Sequence, residues 1–277
     1  MITIKDLSFG FGKKQVLNHI ECELENGIYG VLGPNGAGKT TLFRCIAGLY
    51  CDYSGEIEIN GKLQKKEKIN VGYLPQKFSL FPDVSVWENM CYFAALKQIA
   101  KEKREENINK SLEMVHMLDY AKVSGAKLSG GMLRRVGIAQ AILGTPEILL
   151  LDEPTVGLDP EERIHYKEII SKLDSNMVVL MSTHIVEDVE ACCKEILVIK
   201  NEGIGYIGTG DNLRKQASGK VYEIGSHEYC YNEKDYIEKE YEKETGITKR
   251  ILTSRKNSYK AVEPTIEDGY LCVIKEI

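Results

Sequence analysis

Residues 33–40, Gly33-Pro34-Asn35-Gly36-Ala37-Gly38-Lys39-Thr40, decide the fold class, because they match G-x-x-x-x-G-K-[ST] at every fixed position. They lie between an apolar run at 28–32, predicted as a strand, and a predicted helix over about 39–49. In that setting consecutive backbone N–H groups turn towards phosphate oxygens, and the helix adds the positive end of its dipole. We expect Lys39 to reach the β- and γ-phosphates of a nucleotide and Thr40 to hold Mg²⁺. A glycine-rich turn that only connects a strand to a helix would not need every fixed position.

A pair of acidic residues follows an apolar run more than one hundred residues downstream. Residues 148–151 have the pattern of a buried strand, and Asp152-Glu153 come directly after them. Ligands of open α/β sheets bind beyond the carboxyl ends of the strands. We expect Asp152 to hold Mg²⁺, directly or through water, and Glu153 to orient and activate an attacking water. The pair could also be a solvated cap of a strand end, but the phosphate-binding motif upstream favours the catalytic interpretation.

The distribution of apolar residues predicts an α/β fold, and the phosphate-binding motif at 33–40 places it in the P-loop NTPase class. Alternation over the first 25 or so residues, and again before the turn Asn60-Gly61, predicts an N-terminal antiparallel β subdomain. Continuous apolar runs alternate with helical stretches further on, which predicts a mostly parallel core sheet covered on both faces. These runs are at 148–151, 177–181 and 196–199.

The domain boundaries follow from changes in this pattern. The helical stretch of about 83–143 is predicted as a helical subdomain inserted into the α/β frame. Residues 1–210 are predicted as one nucleotide-binding domain. Residues 211–277, rich in tyrosine and in charge of both signs, are predicted as a small C-terminal accessory domain.

The composition excludes several classes of protein. The 277 residues carry 36 Lys+Arg against 41 Asp+Glu, a net charge of -5, which argues against a nucleic-acid partner. The apolar runs are far shorter than the ~18 residues of a membrane span, and the start of the chain lacks the pattern of a signal peptide. None of the 8 cysteines forms a C-x-x-C pair, so they are expected to be reduced thiols. We expect a soluble, cytoplasmic protein.

Further motifs make the chain resemble the nucleotide-binding subunit of an ATP-binding cassette (ABC) transporter, over roughly residues 1–210. Leu128-Ser129-Gly130-Gly131 is similar to the signature that separates ABC proteins from other P-loop ATPases. Gln76 resembles the family's Q-loop glutamine, Asp159 the D-loop aspartate, and His184 the switch histidine, and all occur in the family's order. The resemblance implies an ATPase that uses ATP and Mg²⁺ and works as a head-to-tail dimer.

The resemblance also implies roles for individual residues. Ser129 is a plausible helix N-cap, and with the amides of Gly130 and Gly131 it would close over the γ-phosphate held by the opposite subunit. Phe11 would stack on adenine, although it could equally be an ordinary strand aromatic. The implied catalytic residues are Glu153, His184, Gln76 and Lys39, and the implied metal ligands are Thr40, Gln76 and Asp152. The implied nucleotide-binding residues are Phe11, Gly33, Pro34, Asn35, Gly36, Ala37, Gly38, Lys39, Thr40, Thr41, Ser129, Gly130, Gly131 and Asp159.

Three positions depart from the commonest family pattern. Met132 stands where the signature usually has Gln, Val156-Gly157 replace the usual small and hydroxyl residues before the D-loop aspartate, and the adenine aromatic is Phe11 in place of Tyr. None of these changes removes a catalytic group, so we expect an active ATPase.

Two other segments indicate a subgroup and a partner. Pro264-Thr265-Ile266-Glu267-Asp268-Gly269-Tyr270-Leu271 resembles a segment near the C-terminus of ABC-2-type exporter ATPases, and Met132 is frequent in that subgroup. Residues 81–87, which include the single tryptophan Trp87, lie where the family receives a short helix of the membrane subunit. Trp87 could equally pack in the core of the helical subdomain.

The resemblance therefore implies that ATP hydrolysis powers transport, with export favoured, through a separate integral membrane permease. The second ATPase subunit would be an identical or related chain, and the protein would be peripheral on the inner face of the cell membrane. A soluble ABC ATPase acting on DNA or ribosomes is one alternative, disfavoured by the acidic balance and by a single cassette. A sensing module that uses ATP only as a switch is another.

Overall fold

The N-terminal subdomain is an antiparallel sheet with the strand order β2-β1-β4-β5. The computed structural model describes residues 1–173, 176–243, 246–255 and 257–277. Asn60 and Gly61 both have positive φ, 50° and 77°, the conformation that two-residue hairpin turns require. The strands are β1 (Ile2–Phe11), β2 (Lys14–Leu24), β4 (Ser54–Ile59) and β5 (Lys62–Leu63).

The central sheet has the strand order β10-β9-β3-β8-β7-β6. All its pairings are parallel except that of β10, which runs antiparallel along β9 at one edge. The sequence pattern did not predict β10, because three of its six residues are glycine and it carries no continuous apolar run. The strands are β3 (Gly27–Leu32), β6 (Val71–Leu74), β7 (Ile148–Asp152), β8 (Val178–Thr183), β9 (Glu195–Lys200) and β10 (Gly203–Gly208).

Two hydrophobic cores cover the two faces of this sheet. Along β7, Leu149 and Leu151 belong to the core on the helical side, whereas Ile148 and Leu150 belong to the core shared with the N-terminal sheet. This alternation confirms the prediction of a sheet buried on both faces. The helices are α1 (Lys39–Ile46), α2 (Val86–Leu96), α3 (Lys101–Met114), α4 (Gly130–Ile142), α5 (Pro160–Ser171) and α6 (Val186–Cys192).

The remaining elements form a small sheet and two helices. The strand order of this sheet is β11-β13-β12, and it shares no strand pairing with the central sheet among the described residues. The helices α7 and α8 pack against each other, and α8 also contacts α6, β9 and β10. The elements are α7 (Gly210–Lys215), β11 (Val221–Gly225), β12 (Tyr236–Lys243), β13 (Gly246–Leu252) and α8 (Ile266–Lys275).

A buried charge cluster joins α8 to the small sheet. Arg250 of β13 donates to Asp268 Oδ2 at 2.5 Å and to Glu223 Oε1 at 3.0 Å, and its Nε lies 2.9 Å from Glu238 Oε2. Asp268 also completes a capping box with Thr265 at the start of α8. We call these four charged residues the Arg250 cluster.

Two further expectations concern membranes and thiols. Within the described residues, no helix combines the length and the apolar character needed to cross a bilayer. All eight cysteines are free, and Cys45 and Cys272 are buried among apolar side chains. Their reduced state stays a prediction.

Candidate functional site

The predicted phosphate-binding loop joins β3 to α1 and depends on glycine at two positions. A Cβ atom on Gly33 would lie 2.6 Å from the carbonyl oxygen of Ile199, so the loop leaves β3 too close to β9 for any side chain. Gly38 has φ 104° and caps the start of α1, and a Cβ atom there would meet Val16 O at 3.0 Å. Both positions therefore require glycine for the loop to pass close to neighbouring backbone.

Lys39 is the buried cation of this loop, with 6% of its surface exposed. Its Nζ donates to the carbonyl oxygens of Gly33, at 2.6 Å, and Pro34, at 3.3 Å, and lies 3.6 Å from Glu153 Oε1. Burial lowers the pKa of Lys39 below its ordinary value, and the neighbouring Glu153 carboxylate opposes that shift. The ammonium is therefore held at the inner wall of the loop by dipoles and one nearby carboxylate.

The two predicted carboxylates lie at the carboxyl end of β7, where the sheet order places them beside β8. Asp152 is fully buried and its Oδ1 accepts from Ser182 Oγ at 2.7 Å. Glu153 has φ 48°, a left-handed conformation that is uncommon for this residue type, and its N–H donates to Ser182 Oγ at 2.9 Å. Ser182 thus fixes both residues, and the unusual backbone turns the Glu153 side chain towards the phosphate-binding loop.

His184 follows β8 and completes a short chain of ionisable groups. Its Nδ1 lies 3.0 Å from Glu153 Oε2, while Glu153 Oε1 faces Lys39. The Glu153 side chain is 6% exposed and that of His184 is 50% exposed, so the imidazole stands at the rim of the site. One carboxylate therefore lies between an ammonium and an imidazole.

A cavity of about 330 Å³ opens over the phosphate-binding loop. Its lining brings together Gln76 and Glu153 with residues 35–41, which include Thr40 and Thr41, and with Val16. A larger cavity of about 460 Å³ lies at the opposite end of β7, around Glu147, and contains none of the predicted site residues. We take the smaller cavity as the site, because the charged groups converge there.

Other predicted residues lie outside the lining of this cavity. Among the described residues, those that do not line it are Phe11, Gly33, Pro34, Asp152, His184, Asp159 and the signature residues Ser129, Gly130 and Gly131. Of these, Asp152 is fully buried and His184 contacts the lining residue Glu153. Phe11 is 52% exposed and meets the rings of Phe9 and Tyr50 edge-on, so it is not a core aromatic. A single chain therefore does not gather all the predicted nucleotide contacts.

The signature and the D-loop aspartate meet through Glu162 of α5. Ser129 caps α4 by accepting from Met132 N–H at 3.1 Å, as predicted, and Asp159 caps α5 by accepting from Glu162 N–H at 2.8 Å. A Cβ atom on Gly131 would lie 2.3 Å from Glu162 Cδ, so a side chain at this position would displace the end of the Glu162 side chain.

Three contacts around the site were not predicted from the sequence. These are the Ser182 hydroxyl on Asp152, the hydrogen bond from Thr155 Oγ1 to Asp188 Oδ2 at 2.6 Å, and a set of hydrogen bonds from Arg134. Ser182 stands two residues before His184, a spacing that could have indicated it. The partners of Thr155 and Arg134 come from distant segments and leave no comparable signal.

The aromatic residues near the loop after β6 divide into two groups. Trp87 is partly buried and packs against the core on the helical side of the sheet. Phe81 and Tyr92 are 53% and 46% exposed, and their ring centroids lie 5.2 Å apart. The exposed aromatic surface is therefore formed by Phe81 and Tyr92, not by the tryptophan.

The residues present fit a nucleoside triphosphate with Mg²⁺. Proteins commonly hold Mg²⁺ through one or two carboxylates together with phosphate oxygens. The buried Asp152, with the hydroxyl of Thr40 and the amide of Gln76, supplies oxygen ligands of that kind. The loop amides and Lys39 supply the positive counterpart of the phosphates.

This fold and this site define a P-loop ATPase. Residues 17–156 match the family described as ABC transporter. The chain belongs to that family. The predicted fold class and the resemblance drawn from the motifs are confirmed, and the protein is an ABC-type ATPase that binds ATP and uses Mg²⁺.

Named relatives and a solved structure agree with this assignment. The linearmycin resistance ATP-binding protein LnrL of Bacillus subtilis (strain 168) is 34% identical over 225 residues, covering 79% of this chain and 72% of that protein. The spermidine/putrescine import ATP-binding protein PotA of Bacteroides fragilis (strain YCH46) is 37% identical, over 76% of this chain and 47% of that protein. A structure of the ATP-binding subunit of an ABC transporter has 26% identity and a TM-score of 0.68, covering 78% of this chain and 92% of that one.

Proposed function

We propose that the chain hydrolyses ATP with Glu153 as the general base that takes a proton from the attacking water. The contact that supports this most directly is the 3.0 Å approach of His184 Nδ1 to Glu153 Oε2. A carboxylate placed beside an imidazole and facing the phosphate-binding loop is suited to orient a water for in-line attack. His184 would keep its other ring nitrogen for the γ-phosphate.

The other residues of the cavity serve binding and charge stabilisation. Lys39 and the amides of the phosphate-binding loop hold the phosphate oxygens, which is where negative charge is spread in the transition state. Asp152, Thr40 and Gln76 would hold Mg²⁺, which would supply positive charge to neutralise the phosphate oxygens. Phe11 stacks on adenine from the exposed end of β1.

The working unit is a head-to-tail dimer in which Ser129, Gly130 and Gly131 of one copy face the nucleotide of the other. Ser129 caps the start of α4, which supports this arrangement, since the amides at a helix N-terminus suit an anion that a second copy holds across an interface. Asp159 lies beside the signature, through Glu162, and takes part in the same interface. ATP closes the dimer, and hydrolysis releases it.

The dimer powers transport, with export as the favoured direction, through a separate integral membrane permease. The resistance function in the name of LnrL supports export, although the importer PotA is also similar to this chain. The exposed pair Phe81 and Tyr92 is the surface we assign to the permease, because aromatic side chains anchor many protein interfaces. The protein acts at the cytoplasmic face of the membrane without a nucleic-acid partner.

The substitution Glu153→Gln tests the general base. It should lower kcat by about 10²- to 10⁴-fold, the range that general-base catalysis contributes. ATP binding should persist, and size-exclusion chromatography with ATP should then show a trapped dimer. Hydrolysis at the wild-type rate would overturn the assignment.

A matched control stands at the other end of the same strand. Glu147 precedes β7 and pairs with Lys62 at 3.0 Å, at the opposite end of the strand from the cavity over the phosphate-binding loop. Glu147→Gln should therefore leave kcat unchanged.

Transport is tested by isolating the native complex. Recovery with a polytopic membrane protein supports it, and recovery with ribosomes or DNA and no membrane partner overturns it.

A further inference from the structure

One guanidinium on α4 binds the backbone of both loops that carry the site residues. Arg134 Nη1 donates to the carbonyl oxygens of Pro75 and Gln76, at 3.1 and 3.0 Å. Its Nη2 donates to those of Asp152 and Glu153, at 2.8 and 2.5 Å, and its Nε donates to that of Pro154, at 2.9 Å. The same side chain therefore contacts five backbone acceptors in two segments that are not neighbours in sequence.

The two segments have a defined place in the fold. Pro75-Gln76 follows β6, and residues 152–154 follow β7, the strand that pairs with β6. Five carbonyl oxygens facing one point would repel each other and would need solvent if no donor lay among them. Arg134 supplies these donors from the face of α4 that packs on β6 and β7.

We propose that Arg134 is a positioning residue that fixes the Gln76 backbone relative to the Glu153 backbone, so that both side chains meet the same nucleotide. This inference rests on the proposed function, since it takes Glu153 and Gln76 to act on one ATP. The hydrogen bonds from Arg134 to these residues all go to main-chain carbonyl oxygens, so Arg134 would act through their placement.

The geometry requires the fork of an arginine. A guanidinium has five N–H donors in a rigid plane and can serve two loops at once, whereas an ammonium is a compact point charge on a flexible stem. A lysine at this position keeps the charge but reaches one loop at a time. Loss of the fork should therefore loosen the relative placement of Gln76 and Glu153 without removing a phosphate contact.

Arg134 also links the site to the start of α4. Ser129, the N-cap of that helix, stands five residues before Arg134, so a shift of either loop is carried to the signature by a rigid helix. In the dimer described above, the signature faces the nucleotide of the other copy. The placement of Glu153 at one site and of the signature at the second is thus coupled through Arg134.

The test compares Arg134→Gln and Arg134→Lys in the full chain, with kcat and KM from steady-state ATP hydrolysis and ATP affinity from equilibrium binding. A misplacement of about 1 Å costs about 10²-fold in rate, so Arg134→Gln should lower kcat by about 10- to 100-fold. ATP affinity should stay at the wild-type value, because Lys39 and the loop amides are untouched. Arg134→Lys should give an intermediate kcat, and it carries the test alone if Arg134→Gln does not fold.

The control is Arg104→Gln. Arg104 lies on α3 and donates to one backbone carbonyl, that of Ile99, at 2.9 Å, so its loss should leave kcat unchanged. Wild-type kcat in both Arg134 variants would overturn the inference, as would equal losses of kcat and ATP affinity with a lower melting temperature. Glu153→Gln separates the two ideas: if it lowers kcat as expected while both Arg134 variants hydrolyse ATP at the wild-type rate, only the positioning role fails, and if Glu153→Gln itself hydrolyses ATP at the wild-type rate, the proposed general base fails.

Discussion

Lys39 and Arg250 are buried to the same degree, each 6% exposed, but their surroundings differ. Arg250 is surrounded by three carboxylates, two of which accept hydrogen bonds from it. Lys39 meets two backbone carbonyls and one carboxylate at 3.6 Å, and it adjoins a cavity. The first cation is fully paired within the chain, whereas the second retains capacity for a further anion.

Completeness of pairing distinguishes a buried charge that stabilises the fold from one that is suited to a ligand. A buried charge that is completely paired contributes to the fold when its partners are kept, and its loss leaves uncompensated carboxylates. A buried charge that is incompletely paired beside a cavity costs stability and is suited to bind a ligand. Four substitutions test this contrast, in order of decreasing effect.

The largest effect is expected for Arg250→Met. Removing one partner of a buried ion pair costs about 3–5 kcal/mol, because the remaining carboxylates stay buried without a counter-charge. The free energy of unfolding, measured by urea denaturation, should fall by that amount while the ATP affinity of the folded protein is kept. Lys243→Met is the matched control, since Lys243 pairs with the same Glu223 carboxylate at 2.9 Å but is exposed. Equal effects of the two substitutions would contradict the structural role of Arg250.

Lys39→Ala should lower ATP affinity and leave stability nearly unchanged, the opposite of what is expected for Arg250→Met. Loss of a charged hydrogen-bond donor costs about 3 kcal/mol of binding, so ATP affinity should fall by about 100-fold in equilibrium titrations. The free energy of unfolding should change little, because the buried ammonium is itself costly. Lys65→Ala is the control: Lys65 also donates to a backbone carbonyl, that of Tyr53, at 2.5 Å, but away from the cavity. Unchanged ATP affinity in Lys39→Ala would refute its role at the phosphates.

A change of intermediate size is expected in how the stability of the fold depends on pH, through the carboxyl groups of the Arg250 cluster. Burial and the neighbouring Asp268 carboxylate raise the pKa of Glu238 above its ordinary value of 4.5. Burial also raises the pKa of Asp268, but hydrogen bonds from Arg250 and Thr265 outweigh it and leave that pKa below 3.8. The two carboxyl groups therefore respond to pH in opposite directions.

The direction of each pKa shift decides the pH range in which that carboxyl group stabilises the folded state. The contribution of Asp268 is present above pH 3.8 and is lost as the pH falls through its lowered pKa. That of Glu238 is present below pH 4.5 and is lost as the pH rises through its raised pKa. Glu238→Gln should therefore gain stability relative to wild type between pH 4.5 and neutral pH, as measured by melting temperature. Glu240→Gln, on the same strand, removes a more exposed carboxylate that pairs with Lys249 and serves as the control. A melting temperature of Glu238→Gln that follows wild type across that pH range would refute the raised pKa.

Phe11→Ala should give the smallest effect. Aromatic stacking contributes about 0.5–1.5 kcal/mol, so ATP affinity should fall by about 3- to 10-fold, and Phe11→Tyr should restore it. Tyr120→Ala removes a comparably exposed aromatic residue elsewhere and should leave affinity unchanged. If Phe11→Ala also binds ATP as wild type does, Phe11 is not the adenine contact.

Much of the fold could be predicted because its signals are local. The eight contiguous residues from Gly33 to Thr40 specify a strand, a loop and a helix, and the two positive φ angles at Asn60-Gly61 are those its residue types favour. The strands β7 and β8 are continuous apolar runs and were predicted to within two residues at each end.

The contacts that could not be predicted are those between distant segments. The Arg250 cluster draws one residue from each of β11, β12, β13 and α8, and no spacing links them. The acceptors of Arg134 are main-chain carbonyls, which every residue carries, so residue type does not mark them. The left-handed backbone of Glu153 depends on Ser182 of the neighbouring strand and has no signal in the residue itself.

The last helix has a consequence for how the protein is made. Its residues Ile266, Tyr270, Val273 and Ile274 pack against the core on the helical side of the central sheet, and Lys200 of β9 donates to the carbonyl oxygen of Val273 at 2.7 Å. Synthesis proceeds from the N-terminus, so that part of the core stays open to water until α8 has left the ribosome. A nascent chain stopped at residue 210 should therefore expose apolar surface and recruit chaperones, even though every nucleotide-binding motif has already been synthesised.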